Sequence, residues 1–536
     1  MTPSGISTSN TSKKIRDLLQ HIDRDELVLP EIQREFVWTK KAVKLLFDSL
    51  YRGLPIGHML VWKAATEVKS RDWARRRIRR RAGQLANFYG YLLDGQQRMT
   101  AIARVRDGDE DYPLMFYAYP GRDEEGEPEF YWRGKNEELD PWCIPVSDIL
   151  SEGFNIAERL NAIKRNEYFK PAYEEAVLRD LTRVQGIIDY PVGVIEWSAD
   201  DYKLATDLFV RFNSTGRKLR PGDLNLAQLA IHVPGLASEG IRRAQSKWDG
   251  YKFTAPFLVQ CLLAVHTGRM RTKDPERFWS GESPKAVRES WTETERAFGR
   301  LVGFLSGTVR WQRSTLIPSF NALVPLVYVL AKNGAWPERD GRLARRWLLL
   351  ASVHGYFSGS VETQIDSILR KLSARPSMKN LAGVTKAALR RLKAEHFETA
   401  RLSGPIMSLY LSMLRDYDAR DWKDRNVKLD GTVTGHGARL HVHHFFPRAL
   451  LRKQPDLKTR DINTFGNYVV ISADANLDVL TEEPATYIPR LKIPEAELRK
   501  QCIPAQRELW HVSRYHDFIR ERRRLLAEAA NEFLEA

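Results

Sequence analysis

Two adjacent histidines, His443 and His444, close an alternating run from Arg439 to Phe445, and Pro447 ends it. Asn467 follows, then the apolar segment Tyr468 to Ser472, and then Asn476. Neighbouring residues on a strand face opposite ways, so the two imidazoles cannot share one task. Hydrolysing a phosphodiester near neutral pH needs an in-line activated water, stabilisation of charge on the phosphate and leaving oxygen, and fixed geometry. A neutral imidazole, with a pKa near ~6.5, suits the first need. A divalent ion held by few protein ligands, with water and phosphate completing its shell, suits the second. The order histidine pair, strand, asparagine predicts a ββα hairpin carrying a one-metal site. The competing readings are a structural histidine-rich strand, or a soft-metal tract of His436, His441, His443 and His444.

A second constellation lies far upstream in LLDGQQRMTAI, with Asp94, Gly95, Gln96, Gln97 and Arg98. A strand delivers Asp94 to a turn that Gly95 permits, and a helix starts near Gln96. Helix N-termini attract phosphate, and an arginine such as Arg98 can clamp it. Asp94 can hold a metal ion or activate water. LPEIQREFVW sets Gln33 and Arg34 beside aromatics, and FVRFNSTGRKL offers Asn213, Ser214, Thr215, Gly216 and Arg217 between two helices. Three polar clusters in one α/β block point to one pocket. Neither a P-loop nor a Rossmann fingerprint is present. The competing reading makes Asp94 and Arg98 a structural ion pair.

Residues 11–22 predict an amphipathic helix capped by Thr11 or Ser12, after a loose Met1–Asn10. Leu27–Pro30 is extended, Lys40–Arg52 helical with Gly53 as its stop, and 56–63 a strand. Further strands are expected near 113–119 and 190–197. Helical patterns dominate from about 235 to 430, a turn-rich link spans 430–437, and a charged helix is expected at 506–534. Trp38, Trp62 and Trp197 read as core. The arginines of 71–81 (Arg75, Arg76, Arg77, Arg79 and Arg80 among them) read equally as a phosphate-tracking loop, with Trp73 stacking on a base, or as a solvated helical face.

With 536 residues, two or three domains are expected. The net charge of +16 and pI near 9.6 favour polyanionic partners. Three scattered cysteines, Cys143, Cys261 and Cys502, argue against a disulfide framework and for a reducing, cytoplasmic setting. No apolar run approaches the ~20 residues that span a bilayer, so no membrane partner is expected.

LPEIQREFVW, LPIGHMLVW, DGQQR and FNSTG, in that order, resemble the ParB-like DGQQR nucleotidase domain of GmrSD-type modification-dependent (type IV) restriction systems. The HHFFP segment with its two asparagines resembles the His-Me finger (HNH) nuclease motif. The resemblance implies an α+β multidomain chain: a ParB-like α/β domain at 11–232, a helical connector at 233–430, and an HNH-like ββα-metal domain within a mostly helical block at 431–536. It implies His444 as general base, His443 and Asn476 as ligands of magnesium or manganese, and Asn467 as the tie of the connecting loop. It places a nucleoside triphosphate (ATP, GTP or another) at Gln33, Arg34, Asp94 to Arg98, Asn213 and Gly216, with Asp94 catalytic. It implies cleavage of modified, double-stranded phage DNA in anti-phage defence. FFP in place of IFP, and Asn in place of His at position 476, depart from the commoner pattern. A homodimer is compatible with the sequence. The alternative is a ParB-like, nucleotide-sensing, DNA-binding regulator with a degenerate nuclease fold.

Overall fold

The computed structural model describes residues 7–536 except 31–32, 34, 65–69, 72–87, 121–129, 135–140, 199–203, 205–207, 209–220, 399–403, 430–439 and 480. Arg34, Arg75, Arg76, Arg77, Arg79, Arg80, Asn213 and Gly216 therefore lie outside the described residues, as do Trp73 and the 430–437 link. Two compact units are present: 1–240 with 275–280, and 241–274 with 281–536. The helical stretch expected at 233–430 and the block expected at 431–536 fall largely in the same unit.

The first unit is built on strands β1 (Ser7–Lys14), β2 (Leu27–Pro30), β3 (Met59–Lys63), β4 (Ser70–Arg71), β5 (Gly90–Asp94), β6 (Leu114–Tyr117), β7 (Phe130–Trp132), β8 (Cys143–Pro145) and β9 (Pro191–Ser198). Helices α1 (Ile15–Asp23), α2 (Lys40–Tyr51) and α3 (Gln96–Arg106) accompany them. The main sheet runs β1-β9-β3-β5-β2-β4 and is mixed, with β9–β3 and β5–β2 parallel. A smaller antiparallel sheet runs β7-β6-β8. β3 and β5 are buried along almost their whole length, as expected for central strands with Leu, Val, Trp and Tyr on both faces. Trp62 and Trp197 are buried and Trp38 packs on the core.

Two expectations fail. Residues 7–14 form a strand, not a loose start and a helix: all eight pair antiparallel with β9, from Ser7↔Ser198 to Lys14↔Pro191. The polar Ser/Thr run suits an exposed edge strand, and its partner lies too far along the chain to be read locally. Helix α1 then begins at Ile15, and its start is secured by Asp17, whose Oδ2 accepts from Lys14 N at 3.2 Å, not by Thr11 or Ser12. The final helix begins at Tyr515, not near 506. Glu483 draws the preceding chain aside, accepting from Val512 N at 3.0 Å with His511 Nδ1 at 3.1 Å, so 507–514 form two short 3-10 turns.

α2 behaves as expected. Thr39 caps it through Ala42 N, its apolar stripe is buried, and Gly53 leaves it with φ +69°. In the second unit helices dominate, among them Ala255–Thr267, Pro284–Phe304, Leu323–Asn333, Glu338–Val353 and Pro405–Asp416. Toward its C-terminal part the unit carries two antiparallel strands, β10 (Leu440–His444) and β11 (Tyr468–Ser472), and the helix Ala473–Val479. Phe445, Phe446, Val469, Ile471, Tyr487 and Phe518 form the core beneath them. No helix among the described residues is long and apolar enough to cross a membrane. Cys143, Cys261 and Cys502 are buried and unbridged.

Candidate functional site

In the first unit, β5 ends at Asp94 and Gly95 turns the chain into α3 with φ +96°. A Cβ at 95 would meet Met59 Sδ at 2.0 Å, so glycine is required there twice over. Arg98, one turn into α3, donates from Nη1 to Ile56 O at 2.6 Å. Its Nη2 donates to His58 O at 2.8 Å and to Asp94 Oδ2 at 2.8 Å. The guanidinium thus ties the approach to β3 onto the DGQQR turn. Burial pulls the Arg98 pKa below its usual value, and Asp94 opposes that pull. The Asp94 side chain is 41% exposed and that of Arg98 only 14%. The carboxylate therefore meets solvent, and the arginine faces mostly inward.

The glutamines face the backbone. Gln33 Nε2 donates to Leu92 O at 2.9 Å and Leu93 O at 2.6 Å. Gln97 Nε2 donates to Glu35 O at 2.9 Å, and its Oε1 accepts from Val37 N at 2.8 Å. Two buried amides therefore tie Gln33 to β5 and Glu35 and Val37 to α3, and Gln96 lies buried beside them. Of the residues the sequence suggests for one pocket, Asp94 and Arg98 line a common cavity, while the Gln33 and Gln97 amides are taken by backbone groups. A cavity of about 250 Å³ opens at the turn, lined by Gly57, His58, Met59, Asp94, Arg98 and Ile195 among others. Nothing in the sequence singles out His58.

In the second unit, β10 and β11 pair with His443 opposite Val469 and His444 opposite Tyr468. Both histidines are half-buried. His444 Nε2 lies 3.0 Å from Asn463 Oδ1, and its ring tilts over Tyr468 with centroids 4.9 Å apart. With the amide oxygen accepting, Nε2 carries the proton and Nδ1 the lone pair. Burial lowers the His444 pKa, and the Asn463 contact opposes it.

Asn467 is fully buried. Its Oδ1 accepts from Phe446 N at 2.8 Å, and its Nδ2 donates to Phe446 O and Ile462 O, both at 3.2 Å. It grips the chain two residues after His444 and one residue before Asn463, fixing both ends of the imidazole–amide contact. Tyr487 Oη adds a bond to Phe445 O at 2.8 Å. Asn476 sits half-buried on the helix Ala473–Val479.

That helix is anchored by residues the sequence did not mark. Ser472 Oγ accepts from Ala475 N at 3.0 Å. Asp421, fully buried, accepts from Ser472 N at 2.6 Å and Ser472 Oγ at 3.0 Å, and from Lys423 N and Asp424 N at 3.0 and 3.1 Å. On the open edge of β11, the Gln501 amide accepts from Val470 N at 2.9 Å and donates to Val470 O at 2.8 Å. Buried Arg522 donates to Gly466 O and Tyr468 O at 2.8 and 2.6 Å. A polar residue preceding a turn is the only sequence signal Asp421 or Asn463 carries, and it marks many harmless positions.

Among the described residues, no group of three or more His, Cys, Asp or Glu side chains is placed to hold a metal ion. The expected ligands, His443 and Asn476, form a smaller set: one imidazole nitrogen and one amide oxygen, both neutral. Such a pair fits a largely hydrated divalent ion that takes its remaining ligands from water and phosphate.

The family model for the GmrSD restriction endonuclease N-terminal domain matches residues 15–230. The match begins at the first residue of α1 and contains the DGQQR turn, so the first unit is similar to the N-terminal domain of GmrSD restriction endonucleases. An uncharacterized protein of Methanocaldococcus jannaschii is 28% identical over 105 residues. That similarity covers 18% of this chain and 17% of the archaeal protein.

Proposed function

We propose that this chain is a restriction endonuclease that cuts modified DNA through its ββα hairpin and couples cutting to a nucleoside triphosphate held at the DGQQR turn. The observation that carries the nuclease reading is Asn467, whose buried amide holds the chain on both sides of the His444–Asn463 contact. The nucleotide reading rests on the DGQQR turn, where the solvent-exposed Asp94 carboxylate lines a cavity at the start of α3.

In this reading His444 Nδ1 takes the proton of the attacking water as the new oxygen–phosphorus bond forms and the bond to the leaving sugar oxygen breaks. Asn463 keeps Nε2 protonated and so keeps Nδ1 open to the water. His443 and Asn476 would hold a magnesium or manganese ion, which would supply charge neutralisation at the phosphate and the leaving oxygen. Asp94, open to solvent, holds or polarises the reactants of nucleotide hydrolysis, while Arg98 braces the turn.

The test is a cleavage panel of unmodified, hydroxymethylated, glucosylated and phosphorothioated DNA, crossed with nucleotides and with magnesium or manganese. Wild type is expected to cut at least one modified substrate, and His444→Ala to bind the same DNA without cutting it. Full cutting by His444→Ala removes that residue as the base. No cutting of any substrate by wild type favours a DNA-binding regulator instead.

A further inference from the structure

We propose that His58, not Arg98, is the side chain of the DGQQR cavity that contacts the phosphate end of a metal-bound nucleoside triphosphate. This rests on the nucleotide reading above and assigns its recognition to a different residue. Arg98 is the sequence's natural choice, but three of its N–H donors already serve Ile56 O, His58 O and Asp94. A guanidinium offers five such donors, and the ones used here would have to break for a phosphate to be gripped in bidentate fashion. Arg98 is an internal brace.

His58 stands differently. It lines the same cavity as Asp94, it is exposed, and its imidazole makes no hydrogen bond among the described residues. Its ring is seated in a notch that the chain keeps clear. A Cβ on Gly193 would come within 2.4 Å of His58 Cδ2 and 2.9 Å of Nε2. The Cδ2–Nε2 edge therefore rests on the β9 backbone, and Nδ1 lies on the opposite edge. The backbone beneath the ring is held in turn, because His58 O accepts from Arg98 Nη2 at 2.8 Å. An imidazole held from below, with a spare ring nitrogen, is a preorganised donor.

The size and charge of the cavity limit what it takes. At about 250 Å³ it falls below the ~300 Å³ at which pockets begin to enclose a whole drug-sized ligand, so it suits one end of a nucleotide. Asp94, in the same lining, repels bare phosphate. A phosphate chelated to magnesium removes that repulsion and can share the ion with the carboxylate. The first turn of α3, with its positive end at Gln96, opens on the same turn and favours the same charge.

The experiment is calorimetric titration of the full-length protein with ATP, GTP, CTP and UTP in magnesium, and with the four matching nucleosides. The proteins are wild type, His58→Ala, His58→Gln and Gly193→Ala, with melting curves to verify that each variant is folded. His58→Ala is expected to weaken the preferred nucleotide about tenfold or more while leaving nucleoside affinity unchanged. His58→Gln, which keeps a donor, should recover part of the loss. Gly193→Ala should reproduce it by pushing the ring from its notch. A folded His58→Ala that binds nucleotide like wild type overturns the assignment of His58 alone. If wild type binds none of the four nucleotides, the nucleotide reading falls and this inference falls with it.

Discussion

Asn467 holds the Phe446 peptide from both sides, its Oδ1 accepting from Phe446 N at 2.8 Å and its Nδ2 donating to Phe446 O at 3.2 Å. The amide offers a donor and an acceptor side by side on one planar head. Asn467→Asp places a carboxylate oxygen against the Phe446 carbonyl, and Asn467→Ala leaves buried groups on Phe446 and Ile462 unpaired. Each change should cost about 2–4 kcal/mol of the second unit's stability, read as a lower denaturant midpoint. A change below about 0.5 kcal/mol would show that the loop does not depend on this side chain.

Asn463→Ala should leave the fold intact and free His444 to take either tautomer. Cleavage should fall about 100-fold, well short of the loss from His444→Ala, because geometry is loosened and the base is kept. Nitrogen-15 spectra of the imidazole should show mixed protonation in the variant and Nε2 protonation in wild type. An unchanged spectrum would remove Asn463 from the positioning of the ring.

Asp421→Asn replaces an acceptor of four hydrogen bonds with an amide whose NH2 must face a donor. A loss of about 2–3 kcal/mol is expected, with weaker manganese binding, since Ser472 leads directly into the helix that carries Asn476. Calorimetric titration with manganese measures the second effect without any cleavage assay. Wild-type affinity in the variant would confine Asp421 to stability.

Arg98→Lys keeps the charge but not the fork that reaches Ile56 O, His58 O and Asp94 together. The first unit should lose about 1–3 kcal/mol, seen in thermal melts. Gly95→Ala should be worse, at about 2–4 kcal/mol, because it combines an unfavourable φ with a collision at Met59.

Local signals were readable in the sequence, and distant ones were not. Thr39, the stripe from Val43 to Leu50 and Gly53 define α2 between positions 39 and 53, and Asp94-Gly95 marks the DGQQR turn without help from elsewhere. Strand β1 depends on β9, whose register with it begins at Ser198, so no window around Thr11 contains the reason for its conformation. The site shows the same division. The residues of DGQQR were visible as a cluster, but the direction of Gln33 and Gln97 toward backbone carbonyls comes from how β5 and α3 pack. His443, His444, Asn467 and Asn476 stood out by type and order. Asn463 and Asp421 did not, because their importance arises from what the folded loops bring to them.

The Gln501 amide on β11 has a consequence outside catalysis. A two-stranded ribbon ordinarily leaves a row of open backbone groups along its outer side, ready to accept a strand from another molecule. Here the N–H and C=O of Val470, midway along that side, are both taken by one side chain of the same protein. The Gln501 amide thus stands where a third strand would pair and blocks strand addition at the centre of that side.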